Sequence, residues 1–126
     1  MSRYEVLVVE DETLLALEIA DILASCASCE VATSTTIEQA RKAIERPLVF
    51  AVLDIQVIGG RTFELAETLR QRGVPLLFLS GRAATEIPAS LKEAPYLEKP
   101  FAQQDLKKAF FSALKQVKDR QAATVA

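Results

Sequence analysis

The chain has no histidine and only two cysteines among its 126 residues, so the four nitrogen or sulfur donors of a structural zinc site are missing. The two cysteines, Cys26 and Cys29, stand at C-x-x-C spacing, which elsewhere marks redox or metal pairs. Cys26, however, falls in register with Leu15, Ile19 and Ile22, the apolar side of a helix, and both thiols are read as packing residues. An excess of one charge is also lacking: 15 basic residues face 17 acidic ones for a net −2, too little to draw the molecule onto nucleic acid or an anionic membrane. Long hydrophobic runs are absent as well. The longest are of strand length, short of the ~20 residues a bilayer span requires, and the Met-Ser-Arg-Tyr start leads into a strand pattern, unlike a signal peptide. Direct nucleic-acid and membrane partners are therefore not expected, and a cytoplasmic location is.

What is present is an alternation. Apolar runs at 6–9, 31–33, 49–53, 76–79 and 96–97 take turns with amphipathic stretches at 12–25, 36–45, 62–72, 84–93 and 103–120. Strand then helix, five times over, predicts an α/β domain with a parallel sheet covered on both faces, and the continuous apolar central runs agree. Thr36 with Gln39 forms a capping-box pattern, and Gly73 follows a helix ending in Arg70 and Arg72. The last helix carries Leu106, Ala109, Phe110, Ala113, Leu114 and Val117 on one stripe, with Lys107, Lys108, Lys115 and Lys118 off it. Pro88 and Ala94-Pro95 make the fourth helix short or mobile. One domain is expected over 1–120, with a frayed tail at 121–126 and no output domain.

In an open parallel sheet, sites form beyond the carboxyl ends of the strands. Here the first strand ends in Glu10-Asp11, the third in Asp54, the fourth in Ser80-Gly81 and the fifth in Lys99-Pro100. Each has an ordinary reading alone: a charge pair at a helix start, a cap, a turn. Together they bring three carboxylates, a hydroxyl and an ammonium to one edge. Three close carboxylates repel unless one is protonated or a cation neutralises them, and magnesium, a hard ion preferring oxygen ligands, fits Glu10, Asp11 and Asp54. With that charge drawn off, the Asp54 carboxylate could attack phosphorus and form an acyl phosphate, Ser80 donating to a phosphate oxygen.

Val8-Val9-Glu10-Asp11, Val52-Leu53-Asp54, Ser80-Gly81 and Lys99-Pro100-Phe101, at these spacings, resemble the receiver domains of two-component response regulators along essentially the whole chain. The resemblance implies a flavodoxin-like (βα)5 doubly wound fold with strand order 2-1-3-4-5. It implies magnesium, with manganese as a substitute, held by Glu10, Asp11, Asp54 and the backbone carbonyl of Gln56. Phosphoryl transfer to Asp54 would come from a histidine of a sensor kinase or histidine phosphotransferase. A cis peptide before Pro100 would aim Lys99 inward, Ser80 and Gly81 would bind phosphate, and Tyr96 would act as the switch aromatic. Such a protein catalyses only its own phosphorylation and dephosphorylation, so it is not a conventional enzyme.

The chain departs from the common pattern at Ile55-Gln56-Val57-Ile58-Gly59-Gly60, where Met-Pro and Gly usually follow the acceptor, and at Ser80, usually Thr. Phe78-Leu79-Ser80-Gly81-Arg82 is a looser version of the Phe-x-Thr-Gly-aromatic signature of some stand-alone bacterial receivers, with Arg82 in the aromatic position. Gln56 and Arg82 flank the acceptor and are expected to tune phosphoryl lifetime through water access. A haloacid-dehalogenase type of phosphatase would need an acid where Gln56 stands. A flavodoxin-like cofactor site would need a phosphate loop where Glu10-Asp11-Glu12 repels phosphate. The remaining alternative is a non-phosphorylated, receiver-shaped interaction module. Output is expected by contact of the fourth helix, fifth strand and fifth helix with another protein, with Phe111 a candidate contact, from a monomer or a homodimer.

Overall fold

The computed structural model describes residues 4–81 and 86–125. Its elements follow the expected alternation. They are β1 (Tyr4–Val9), α1 (Thr13–Cys26), β2 (Cys29–Ser34), α2 (Ile37–Ala43), β3 (Phe50–Asp54), β4 (Gln56–Val57), β5 (Gly60–Arg61), α3 (Phe63–Gln71), β6 (Leu76–Ser80), a 3-10 turn (Ala89–Leu91), β7 (Tyr96–Glu98) and α4 (Gln103–Val125). The main sheet is parallel in the order β2-β1-β3-β6-β7. With the small β4-β5 hairpin set aside, this is the flavodoxin-like 2-1-3-4-5 arrangement.

Strand pleating sends alternate side chains to opposite faces. Leu7, Val9, Ala51 and Leu53 accordingly pack with Ile37, Ala40, Leu65 and Leu69 of α2 and α3. On the other face Val6, Val8, Val52, Leu77 and Leu79 pack with Ile19 and Leu23 of α1 and Leu106 and Phe110 of α4. Both strands β3 and β6 are buried along their whole length, which is why they read as unbroken apolar runs. Phe50 stacks on Phe110 with centroids 5.4 Å apart, tying the sheet to α4.

Local punctuation explains the helix ends. Gln39 N donates to Thr36 Oγ1 at 3.1 Å, one half of the capping box, while the Gln39 side chain reaches Thr35 N instead of the cap residue's own amide. Gly73, with φ +75°, ends α3: Gly73 N donates to Arg70 O and Val74 N to Leu69 O, the paired bonds of a Schellman motif. The thiols of Cys26 and Cys29 are not bridged; they donate to the carbonyls of Ile22 and Leu23, in keeping with packing roles.

Three expectations change. The fourth helix, expected over 84–93, is reduced among the described residues to 3-10 structure at Glu86 and at Ala89–Leu91, with Pro88 between them in an extended backbone (φ −60°, ψ 155°) and Ile87 and Leu91 buried. The last helix continues through Gln121 to Val125, where a frayed tail had been expected, its Gln-Ala-Ala sequence favouring helix. The segment after Asp54 forms a hairpin that the sequence reading did not contain. Gly59 and Gly60, at φ 101° and 137°, permit its turn, and Ile37 N donates to Ile58 O at 2.9 Å to fix it against α2. No helix among the described residues is long and apolar enough to cross a membrane.

Candidate functional site

Backbone bonds between neighbouring strands bring their carboxyl ends to one level. Glu10 N donates to Ser34 O, Ile55 N to Leu79 O and Lys99 N to Ser80 O, at 2.9, 3.0 and 2.7 Å. These bonds set Glu10, Asp54, Ser80 and Lys99 around a common point. Lys99 is its centre of charge: Nζ donates to Glu10 Oε1 at 2.5 Å and to Asp54 Oδ2 at 2.8 Å. The Lys99-Pro100 peptide is cis.

The three carboxylates differ in setting. Glu10 continues the inward register of Val6 and Val8 and is fully buried, its second oxygen accepting from Glu12 N at 3.1 Å. Asp11, past the strand, is exposed, and Asp54 is buried. Each offers an oxygen within 4.8 Å of the others'. Burial pushes the Glu10 carboxyl up to about 7, against the pull of Lys99 and the Glu12 amide and with help from the Asp54 charge. Burial works the opposite way on Lys99, but its bonds to Asp54 and Glu10 win and hold its ammonium above the ordinary lysine value. An all-oxygen, triply carboxylate pocket short of positive charge is the donor set a hard divalent cation takes, so the residues fit such an ion.

Beside the acid group lies a cleft of about 270 Å³ lined by Asp54, Ile55, Gln56, Arg61, Ser80, Gly81 and Glu86. Of the three carboxylates only Asp54 borders it. Gln56 is exposed in β4, and Tyr96 is 47% exposed on β7, in register with Phe78. Arg82, the other residue expected to control phosphoryl lifetime, lies outside the described residues.

Two features escaped the sequence reading. Arg61 and Glu86 pair across the cleft, Nη1 to Oε2 at 3.2 Å, joining the hairpin to the segment before the 3-10 turn. Two isolated charges 25 residues apart gave no signal of this. Thr62 is completely buried, and its Oγ1 donates to Asp54 O at 2.7 Å. A Thr before a helix reads as an ordinary cap, which hid it.

A doubly wound parallel sheet carrying a Glu-Asp-Asp cluster and a bridging lysine at its carboxyl edge defines a receiver-type α/β domain. No family model and no curated protein sequence matches the chain. Solved structures do. SdrG from Sphingomonas melonis Fr1 is 31% identical, covering 90% of this chain and 99% of that one, with a TM-score of 0.75. A CheY-like response regulator receiver domain protein from Methanospirillum hungatei JF-1 is 25% identical over 91% of this chain and 99% of its own, TM-score 0.76. A response regulator receiver protein from Sinorhizobium medicae WSM419, at 24% identity over 90% and 96% of the two chains, shares the fold with a TM-score of 0.80. The chain belongs to the response-regulator receiver family.

Proposed function

We propose that the protein is a phospho-acceptor receiver in which Asp54 takes a phosphoryl group from a phosphohistidine of a sensor kinase or histidine phosphotransferase. The observation that carries this reading is Lys99 bridging Glu10 and Asp54, with only Asp54 of the three acids bordering the cleft. Glu10 is unsuited to attack, being fully buried with one oxygen on Lys99 and the other on the Glu12 amide.

In the reaction an Asp54 carboxylate oxygen forms a bond to phosphorus as the bond from phosphorus to the donor imidazole nitrogen breaks. The electron pair leaves with the imidazole. A divalent cation, magnesium or manganese, held by Glu10, Asp11, Asp54 and the Gln56 carbonyl, would neutralise the charge gathering on the phosphoryl oxygens. Lys99, already 2.8 Å from Asp54 Oδ2, is placed to pair with a phosphoryl oxygen, and the buried Ser80 and the Gly81 backbone line the same cleft. The protein turns over no other substrate. Phosphorylation would change binding to a downstream protein through the face of the 3-10 turn, β7 and α4, where Tyr96 and Phe111 are about half exposed. A cytoplasmic setting and a monomer or homodimer go with this role.

The test is labelling by a small acyl phosphate donor with and without magnesium. Parent protein should take up one acid-stable, base-labile phosphoryl group only with the cation, and Asp54→Ala none. Absence of label in the parent, or undiminished label in Asp54→Ala, would leave a receiver-shaped interaction module that works by binding alone.

A further inference from the structure

Beyond Asp54 the chain leaves the sheet, turns through β4 and β5, and returns at Thr62 to start α3. Thr62 closes this loop with both its donors: its amide gives a 2.9 Å bond to Ile55 O, and its hydroxyl gives bonds of 2.7 Å to Asp54 O and 3.4 Å to Ile55 O. The position is the N-cap of α3, where a threonine hydroxyl normally accepts from an amide of the first helical turn. No such capping bond is made here. The hydroxyl is instead turned backward, fully buried, onto the main chain of the acceptor residue.

We infer that Thr62 is a positioning residue for the acceptor: its hydroxyl fixes the Asp54 carbonyl, and with it the carboxylate against Lys99 and the Gln56 carbonyl against the cation site. The inference deepens the phospho-acceptor reading and rests on it. Asp54 is the last residue of β3, and the peptide that follows it is held from two sides: Ile55 N donates to Leu79 O of β6 at 3.0 Å, while its carbonyl, Asp54 O, accepts from Thr62. The carbonyl oxygen reports the ψ of Asp54, and a bond of 2.7 Å to a buried group attached to α3 restrains it. Releasing it leaves the peptide between Asp54 and Ile55 held by the Leu79 bond alone, free to tilt about that bond, and that peptide carries the chain to Gln56.

Thr62→Val keeps the shape and removes the donor; Thr62→Ser keeps the donor and removes the methyl. For the full chain, magnesium affinity is read by NMR titration and the labelling rate by an acyl phosphate donor at saturating magnesium. Thr62→Val should bind magnesium and label roughly ten-fold more weakly, the size expected for one lost hydrogen bond, with Thr62→Ser within about two-fold of the parent. A purely structural threonine would lower the unfolding midpoint in Thr62→Val and leave the affinity and rate of the folded protein unmoved, which overturns the inference. So does a Thr62→Ser as impaired as Thr62→Val. If Thr62→Val does not fold, the parent decides: the Thr62 amide and hydroxyl resonances must shift with magnesium along the same titration curve as Asp54, and static resonances overturn the inference. A labelled parent with unaffected Thr62→Val defeats this inference alone, whereas a parent that takes no label defeats the acceptor reading with it.

Discussion

Replacing Glu10 by Gln should make the metal-free protein more stable, by an amount that grows as the pH rises from about 4.5 to about 7. In the folded chain the Glu10 carboxyl is pushed from 4.5 up to about 7, chiefly by burial, so between those values the folded state holds a proton that the unfolded state has lost. A raised carboxyl contributes stability that is complete below its unfolded value and disappears as the pH climbs through its folded one. At about 1.4 kcal/mol per pH unit, ionising Glu10 in place costs the fold on the order of 3 kcal/mol once the solution is well above pH 7. Glutamine has the shape of the neutral carboxyl and cannot ionise. Urea unfolding of parent and Glu10→Gln in chelator should therefore give similar stabilities at about pH 4, with the variant gaining roughly 2–3 kcal/mol over the parent by about pH 7 and little more above it. Lys99 loses the Glu10 charge in the variant, but it titrates above this range and keeps its proton in both proteins across it. Saturating magnesium should reverse the order, because the ion repays the parent's charge and finds one carboxylate fewer in the variant. Parallel stability curves for the two proteins across this range would refute the assignment of Glu10 as a strained buried acid.

Lys99→Met leaves Glu10 and Asp54 without their shared cation, 2.5 and 2.8 Å from where it sat, and should cost about 2–3 kcal/mol at neutral pH without metal. Magnesium should recover part of that loss in the same urea titration, and an unchanged midpoint would show that the pair contributes nothing. Gln56→Ala and Arg82→Ala should each change the decay of the Asp54 acyl phosphate, followed by loss of label after donor removal. Decay rates equal to the parent's in both variants would remove water access through these side chains as the control of lifetime.

The sheet was legible because the central strands have no choice: with helices on both faces, every residue of β3 and β6 must be apolar until the strand leaves cover, and the first polar residues, Asp54 and Ser80, mark that point. The hairpin was not legible, since two-residue strands carry no periodicity and Gly59-Gly60 signals a turn without saying which partners it joins. The fourth helix, expected to be short or mobile, is shorter still and not an α-helix among the described residues. A spacing of apolar residues survives in Ile87 and Leu91, but Pro88 lies between them, has no N–H to give and disfavours a helical backbone at Ile87 before it.

Within the acid group the sequence carries more than a cluster of charges. Glu10 and Asp11 are neighbours of the same sign, yet the end of the strand assigns them different work. Glu10, still held by its amide bond to Ser34 O on the face of Val6 and Val8, lies in the core, where it can persist only with Lys99 and the Glu12 amide as partners. Asp11 lies beyond the last rung and stays in solvent, where exchanging ligands with water is cheap. Their division into a buried, tunable acid and an exposed one follows from where the strand leaves cover. The direction of the Thr62 hydroxyl does not: cap and clamp have the same sequence, and only the close approach of the Asp54 carbonyl separates them.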